Sequence, residues 1–402
     1  MPGFQRRRRP RAVAVPSRFR KQKPPGLGCD ERFRRQSQVM VVWIGNLVIM
    51  QDQHGRWRQE VAVYGAVMNP RVSVILPFKN ARATVARALR SLLDQTLRDI
   101  EVLLVDDGST DGGAAVVEEC TRDDGRVRLL QARAPGGVVA AVNTAWPLCR
   151  ADLIARMDAD DVSLPDRLER QCSVLESDAT LGAVSCRVEV PGAGEGFQRY
   201  VDWSNSLVSA QDIQRERFVE CPVVNPTVLA RREAVEAVGG HLDAPWAEDY
   251  DLWLRFLGAG HRMVKLPEVH YCWYDDQPGR LTRTDARYSA AGFMQARAHY
   301  LALLPRSGQG FVLCGAGPTG KALAARLQGE GAHVHCFYDV NERRLGARIG
   351  GVPVVSGHTV PAAVAGGPIV LSCVGSPGGR QRVRGLVEHA GYIEGENFFP
   401  CA

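Results

Sequence analysis

With 402 residues, 45% hydrophobic and 23% charged, the chain has the apolar content for a sizeable core and the length for two domains, which excludes a wholly disordered polymer. The net charge of +6 is unevenly placed: residues 1–38 carry ten Arg and two Lys against one Asp and one Glu, so the remainder is acidic. Eleven cysteines, an odd number without a C-x-x-C pair, argue against a disulfide framework or a zinc site and for reduced, buried thiols in a cytosolic setting.

Residues 1–67 read as a disordered, Arg-rich extension. The run Arg6 to Arg9 lacks aromatic interleaving and is followed by prolines, so no nucleic-acid partner is expected from it. The apolar stretch Val39 to Met50 is about half the ~20 residues that a spanning helix needs, and it contains Gly45 and Asn46. Peripheral contact at the inner face of the cell membrane stays open; integral insertion is not expected. Met68, just before the first strong strand pattern, is read as the native start.

From Arg71 the pattern alternates between strands and helices. Val72 to Leu76 reads as a buried strand, Val85, Ala88, Leu89, Leu92 and Leu93 recur at helical spacing, and Ile100 to Val105 gives the second strand of a β-α-β unit. Arg126 to Gln131 and Leu153 to Met157 read as further strands, the latter running into Asp158, Asp160 and Asp161. Pro165 opens a helix with Leu168, Cys172 and Leu175 on one face, Gly192 to Gly196 marks a loop, and Pro222 to Ala230 looks strand-like. A helix stops at Gly239-Gly240, and an acidic, aromatic helix follows from Glu248 to Leu257. After a linker at Pro305 to Gly310, Phe311 to Cys314, Thr319 to Gln328 and His333 to Phe337 repeat the strand-helix-strand order. The expected division is 1–67, 68–300 and 309–402.

Polar or acidic loops therefore fall at successive strand ends, where ligands bind in open α/β sheets. Asp158-Ala159-Asp160 offers two hard oxygen ligands suited to Mn²⁺ or Mg²⁺, although a D-x-D taken alone is far more often a solvated acidic turn or a helix start. Asp161 is placed to support the pair. The acids Glu248 and Asp249, read alone, also suit the first turn of a helix. Trp246, Tyr250 and Trp253 are either a platform for a sugar ring or core.

Taken together, Val72-Ser73-Val74-Ile75-Leu76-Pro77, the run Asp106-Asp107-Gly108-Ser109-Thr110-Asp111, Arg156-Met157-Asp158-Ala159-Asp160-Asp161, Asn225-Pro226-Thr227, Gly239-Gly240 and Glu248-Asp249-Tyr250-Asp251-Leu252-Trp253 make the segment from about Val72 to Arg283 resemble the family 2 glycosyltransferases. The resemblance implies an α/β, GT-A domain with a mixed, mostly parallel sheet. It implies donor contacts from Pro77, Phe78 and Asn80 and from Asp106 and Asp107, a metal-diphosphate site at Asp158 and Asp160, and Asp249 as general base beside Glu248. It also implies inversion at the anomeric carbon. One departure stands out: the segment in which many members carry a metal-binding His reads Tyr271-Cys272-Trp273-Tyr274-Asp275-Asp276, leaving His270 as the nearest imidazole. Arg280 and Arg283 are placed to clamp the diphosphate from a loop.

Gly315-Ala316-Gly317-Pro318-Thr319-Gly320 follows a strand and opens a helix, with Asp339 ending the next strand. This resembles the smaller Rossmann-like α/β units that bind nucleotides, and it implies either a second site for NAD(P) or another nucleotide at Gly315, Gly317, Gly320 and Asp339, or a packing domain that keeps the glycines for backbone geometry. The expected function is a metal-dependent inverting glycosyltransferase. It would take a sugar from a nucleoside-diphosphate donor, UDP by default, to a glycan, lipid-linked or protein acceptor. The alternatives are an NAD(P)-dependent oxidoreductase centred on the glycine loop, which leaves the acidic clusters without a role, and a nucleic-acid binder using the basic tail.

Overall fold

The computed structural model describes residues 41–44, 47–51 and 57–60 and, from 69 to 402, all but 123, 133–135, 193, 275–283, 306 and 377. The chain falls into two units, Met1–Met68 and Asn69–Ala402. Within the first, β1 (Val41–Ile44), β2 (Leu47–Gln51) and β3 (Trp57–Glu60) pair antiparallel in that order. They lie inside the stretch expected as a disordered extension, where the β-branched residues of Val39 to Met50 suit strands.

The second unit contains two sheets. β4 (Val72–Phe78), β5 (Ile100–Asp106), β6 (Val127–Gln131), β7 (Leu153–Arg156), β8 (Val162–Ser163), β9 (Leu181–Glu189), β10 (Leu229–Arg231) and β11 (Arg262–Cys272) form the larger, in the order β6-β5-β4-β7-β10-β9-β11-β8. The strands β6, β5, β4 and β7 run parallel, β10 is antiparallel to both β7 and β9, β9 and β11 are parallel, and β8 closes the edge antiparallel to β11. This is the expected mixed, mostly parallel arrangement. Its helices are α1 (Val85–Leu93), α2 (Gly113–Thr121), α3 (Gly137–Ala145), α4 (Arg167–Ser177), α5 (Glu195–Ser206), α6 (Ala210–Glu216), α7 (Arg232–Ala237), α8 (Glu248–Gly258) and α9 (Ala290–Ala302).

The helical spacing in α1 has the expected consequence: Val85, Ala88, Leu89 and Leu92 are buried on one face. Each large apolar side chain so buried contributes ~1.5–3 kcal/mol. The expected helix stop is also present, since Gly239 and Gly240 take φ of 86° and 67° and Gly240 N–H closes onto the Val235 carbonyl at 3.0 Å. The strand expected over Pro222 to Ala230 is mostly something else. Asn225–Thr227 is a 3-10 turn and only Leu229–Arg231 is strand, because two prolines remove ladder donors.

The smaller sheet comprises β12 (Phe311–Cys314), β13 (Val334–Asp339), β14 (Arg348–Ile349), β15 (Val352–Ser356), β16 (Ile369–Ser372) and β17 (Phe398–Pro400), in the order β14-β15-β13-β12-β16-β17. All its pairings are parallel except β14 with β15. The helices α10 (Pro318–Gly329) and α11 (Gly379–His389) accompany it. One apolar core runs through both sheets: Phe218 meets Phe399 edge-on with ring centroids 5.4 Å apart, and Tyr250, Phe256, Phe311 and Leu313 belong to the same cluster. Glu216 at the end of α6 binds Arg380 at 2.9 Å and Arg384 at 2.8 Å across the junction. Among the described residues no helix is long and apolar enough to cross a membrane.

The glycine loop shows what two of its three glycines are for. Gly315 has φ 106°, and a Cβ at Gly320 would stand 1.9 Å from the Gly315 carbonyl oxygen, so α10 approaches β12 as only glycine permits. Gly320→Ala is therefore expected to cost on the order of 1–3 kcal/mol through displacement of α10. Thermal unfolding measures it, and an unchanged midpoint would contradict the close approach.

Candidate functional site

The parallel strands β5, β4 and β7 lie side by side, so the loops after Asp106, Phe78 and Arg156 share one edge of the sheet. Asn80, the one described non-glycine residue with positive φ (51°), starts the lacing of these loops. Its N–H donates to Ser109 Oγ at 2.9 Å and its Oδ1 accepts from Thr110 N–H at 2.8 Å. Both aspartates of the following run are buried. Asp106 accepts from Ser109 N–H (2.8 Å) and from Gln131 Nε2 (3.2 Å). Asp107 accepts the Gly136 and Gly137 amides at 3.0 and 3.1 Å, capping the start of α3, and Lys79 Nζ lies 3.4 Å away. Pro77 is half-buried, and the Phe78 ring is core, leaving its carbonyl to accept Asp107 N–H at 2.9 Å. These five residues thus come together at one rim, with the two aspartates engaged in shaping it.

The D-x-D follows β7 directly. Asp158 and Asp160 are half-exposed, whereas Asp161 is fully buried. Asp161 ties the loop to the end of β11, accepting Tyr271 O–H at 2.8 Å and Tyr274 N–H at 2.9 Å. From α1, Arg87 donates to the Asp160 carbonyl and stacks 4.0 Å over the Tyr274 ring. These contacts show Asp161 anchoring the loop that carries the D-x-D. Among the described residues no group of three His, Cys, Asp or Glu is placed to hold a metal. Two half-exposed carboxylates without a third protein ligand fit a hard cation that keeps water and substrate oxygens in its shell. His270 does not supply a third: it is buried, with Nδ1 2.9 Å from Asp166 Oδ1, and so fixes the start of α4. Arg280 and Arg283 lie outside the described residues.

Opposite stands the start of α8. Glu248 is buried and accepts the Tyr288 hydroxyl, and burial raises its carboxyl above the usual range. Burial and the neighbouring Glu248 charge push Asp249 up to about 8, against a hydrogen bond from Tyr250 N–H at 2.7 Å. The Asp158 charge is among the lesser causes that raise both acids, so the D-x-D lies within electrostatic reach of the Glu248-Asp249 pair.

Two functional features escaped the sequence reading. Arg156 sits inside a quoted motif but had been given no role. Its guanidinium is 6% exposed and touches Asp158 at 3.2 Å, while Nε and Nη1 have no partner, so it presents unsatisfied donors beside the D-x-D. The second is Tyr288, which no motif marked. Of the two readings of the aromatics, the structure has the core one: Trp246, Tyr250 and Trp253 are exposed 8%, 0% and 2%. Trp246 Nε1 donates to Asp251 and Tyr250 O–H to the Arg217 carbonyl, both at 2.8 Å. Partly exposed aromatics stand instead on α5, where Phe197, Tyr200 and Trp203 lie on a helix the sequence reading did not identify, although their i, i+3, i+6 spacing was its signal.

At the glycine loop, Asp339 does not wait for a ribose. Its Oδ2 accepts Ala316 N–H at 2.8 Å and pairs with Arg344 at 2.9 Å, stabilising the turn itself. Gly315, Gly320 and Asp339 are thus engaged in the local packing, and Gly317 alone has open space around it.

The sequence model of glycosyl transferase family 2 matches residues 73–239. The O-antigen biosynthesis glycosyltransferase WbnJ of Escherichia coli is 30% identical over 188 residues, covering 46% of this chain and 71% of that protein. The putative glycosyltransferase EpsE of Bacillus subtilis is 29% identical over 206 residues, 50% of this chain and 72% of that one. Among solved structures, the mannosyltransferase PcManGT of Pyrobaculum calidifontis, in complex with GDP-Man and Mn²⁺, matches with a TM-score of 0.42 and 23% identity over 58% of this chain and 62% of that chain, under two thirds of its length.

Proposed function

The chain belongs to glycosyl transferase family 2, and on that premise we propose that it moves a sugar from a UDP-linked donor to an acceptor hydroxyl by a single displacement with inversion. The supporting observation is that half-exposed Asp158 and Asp160 stand at the end of β7, with Asp158 in electrostatic reach of the raised carboxyl of Asp249. A divalent cation on Asp158 and Asp160 would neutralise charge on the departing diphosphate. Arg156, whose Nη2 meets Asp158 at 3.2 Å, keeps a positive charge beside the same oxygens, and the rim built by Pro77, Phe78, Asn80, Asp106 and Asp107 receives the nucleoside.

Asp249 is the base. Its carboxylate takes the proton of the acceptor O–H as the new bond to the anomeric carbon forms and the bond to the phosphate oxygen breaks, the electron pair leaving with the diphosphate. Glu248, buried and held by Tyr288, orients this corner beside the base. The O-antigen biosynthesis named for WbnJ favours a polysaccharide or glycolipid acceptor. The oxidoreductase alternative gains nothing from Asp339, already spent on Ala316 and Arg344.

A screen of nucleotide sugars with Mn²⁺, scored for donor hydrolysis and binding, tests this reading; no binding of any of them would end it. The pH profile tests the base. A base acts deprotonated, so kcat/KM is expected to rise about tenfold per pH unit up to an inflection near 8, where Asp249 ionises, and then to level. An inflection near 4, the ordinary carboxylate value, would exclude Asp249 in its buried setting.

A further inference from the structure

A cleft of about 720 Å³ lies where α5 and α9 face the smaller sheet. One wall carries Tyr200 and Trp203, ring centroids 6.0 Å apart, and Tyr288, whose hydroxyl reaches Glu248. The other carries Thr319 in the first turn of α10 and Gly375 after β16. Because β12 lies between β13 and β16, the loops after β12 and β16 flank the point where the strand order reverses, the usual ligand crevice of such sheets. A Cβ on Gly317 would meet nothing within 4 Å, so the approach to the start of α10 is open.

The cleft is cationic. Arg199, Arg297 and Arg380 line it against one acid, Glu220, and Arg380 is already paired with Glu216. Arg297 is the telling group. It is 7% exposed, donates to the Val219 and Cys401 carbonyls and to Met294 Sδ, lies beside the Tyr250 hydroxyl, and has an Nε without a partner; its charge is felt by the Glu220 carboxyl, which stands beyond ion-pair distance. A buried guanidinium with no direct ion pair, sharing one acid with two further arginines, leaves positive charge in the cleft for an anion from outside the chain. An α-helix start and an arginine together favour phosphate oxygens.

We propose that this cleft binds a sugar acceptor bearing a phosphate, the ring against Tyr200 and Trp203 and the phosphate on Arg297, Arg199 and the first turn of α10. The inference rests on Asp249 as the acceptor's base, since Tyr288 sets the cleft beside Glu248. It gives the smaller sheet a part in choosing the acceptor.

The test compares binding and transfer for hexose and N-acetylhexosamine 1-phosphates, their octyl diphosphate esters and their neutral methyl glycosides. It uses the full chain, Arg199→Gln, Arg297→Lys and Thr319→Val, with inorganic phosphate as competitor. The phosphorylated probes are expected to bind on the order of tenfold more tightly than the glycosides. That preference should shrink in Arg199→Gln and Arg297→Lys, and inorganic phosphate should compete. A further gain for the octyl esters would identify a lipid-linked phosphate, and equal binding a soluble one. Equal binding of charged and neutral probes by the unaltered chain overturns the proposal, as does an unchanged preference in both arginine variants. Binding is read without donor, so failure of donor hydrolysis would count against the base assignment and leave the cleft to be judged on binding alone.

Discussion

Asp249→Asn is expected to lower turnover by on the order of 10²–10⁴ while donor binding stays within about twofold, because a base acts on the acceptor proton in the transition state and not on the donor's ground state. The substitution keeps the oxygen that accepts Tyr250 N–H, so α8 retains its first turn. It also predicts a change in stability with a definite sign. The folded carboxyl is raised by burial and by Glu248, so its favourable contribution is complete below the unfolded pKa and is lost as pH rises through about 8. The amide does not ionise. Asp249→Asn should therefore be more stable than the unaltered chain at pH 8 to 9, on the order of 1–3 kcal/mol, with the gap closing near pH 4. Denaturant unfolding at the two pH values measures it; a less stable variant at pH 9 would show that the carboxylate is comfortably solvated.

Asp160→Ala is expected to remove metal-dependent donor binding and to cut turnover on the order of a hundredfold or more, several kcal/mol of charge stabilisation at the leaving group. It is a cleaner probe than Asp158→Ala, since losing Asp158 would leave the Arg156 guanidinium with no partner on any nitrogen. Excess Mn²⁺ should restore part of the activity of Asp160→Ala if the site is weakened, whereas Arg156→Gln should lower activity without changing the metal concentration required. Metal titration of donor binding separates the two.

Much of the larger sheet was legible because its inner strands are uninterrupted apolar runs and its first helix keeps one buried face. The strands ending at Phe78, Asp106 and Arg156 place their polar loops together simply because they are parallel neighbours. The long strands Leu181–Glu189 and Arg262–Cys272 went unread: Gly182 and Ser185 break up the first, while Lys265, Glu268 and His270 disguise the second. Lys265 is buried against the Ser204 and Pro222 carbonyls, a tertiary arrangement that no local pattern announces. Tyr288 was invisible for the same reason, as its partner Glu248 lies 40 residues earlier. Nor did the glycine loop reveal that Asp339 serves its own turn, since the same spacing fits a ribose acceptor and a backbone clasp.

The most direct measurement is binding of a nucleotide-sugar panel to the full chain with and without Mn²⁺, set beside turnover in Asp160→Ala and Asp249→Asn. The expected result is metal-dependent binding that Asp160→Ala loses and Asp249→Asn keeps, with turnover lost in both. Tight binding and turnover that survive both substitutions would contradict the placement of metal and base in this face of the sheet.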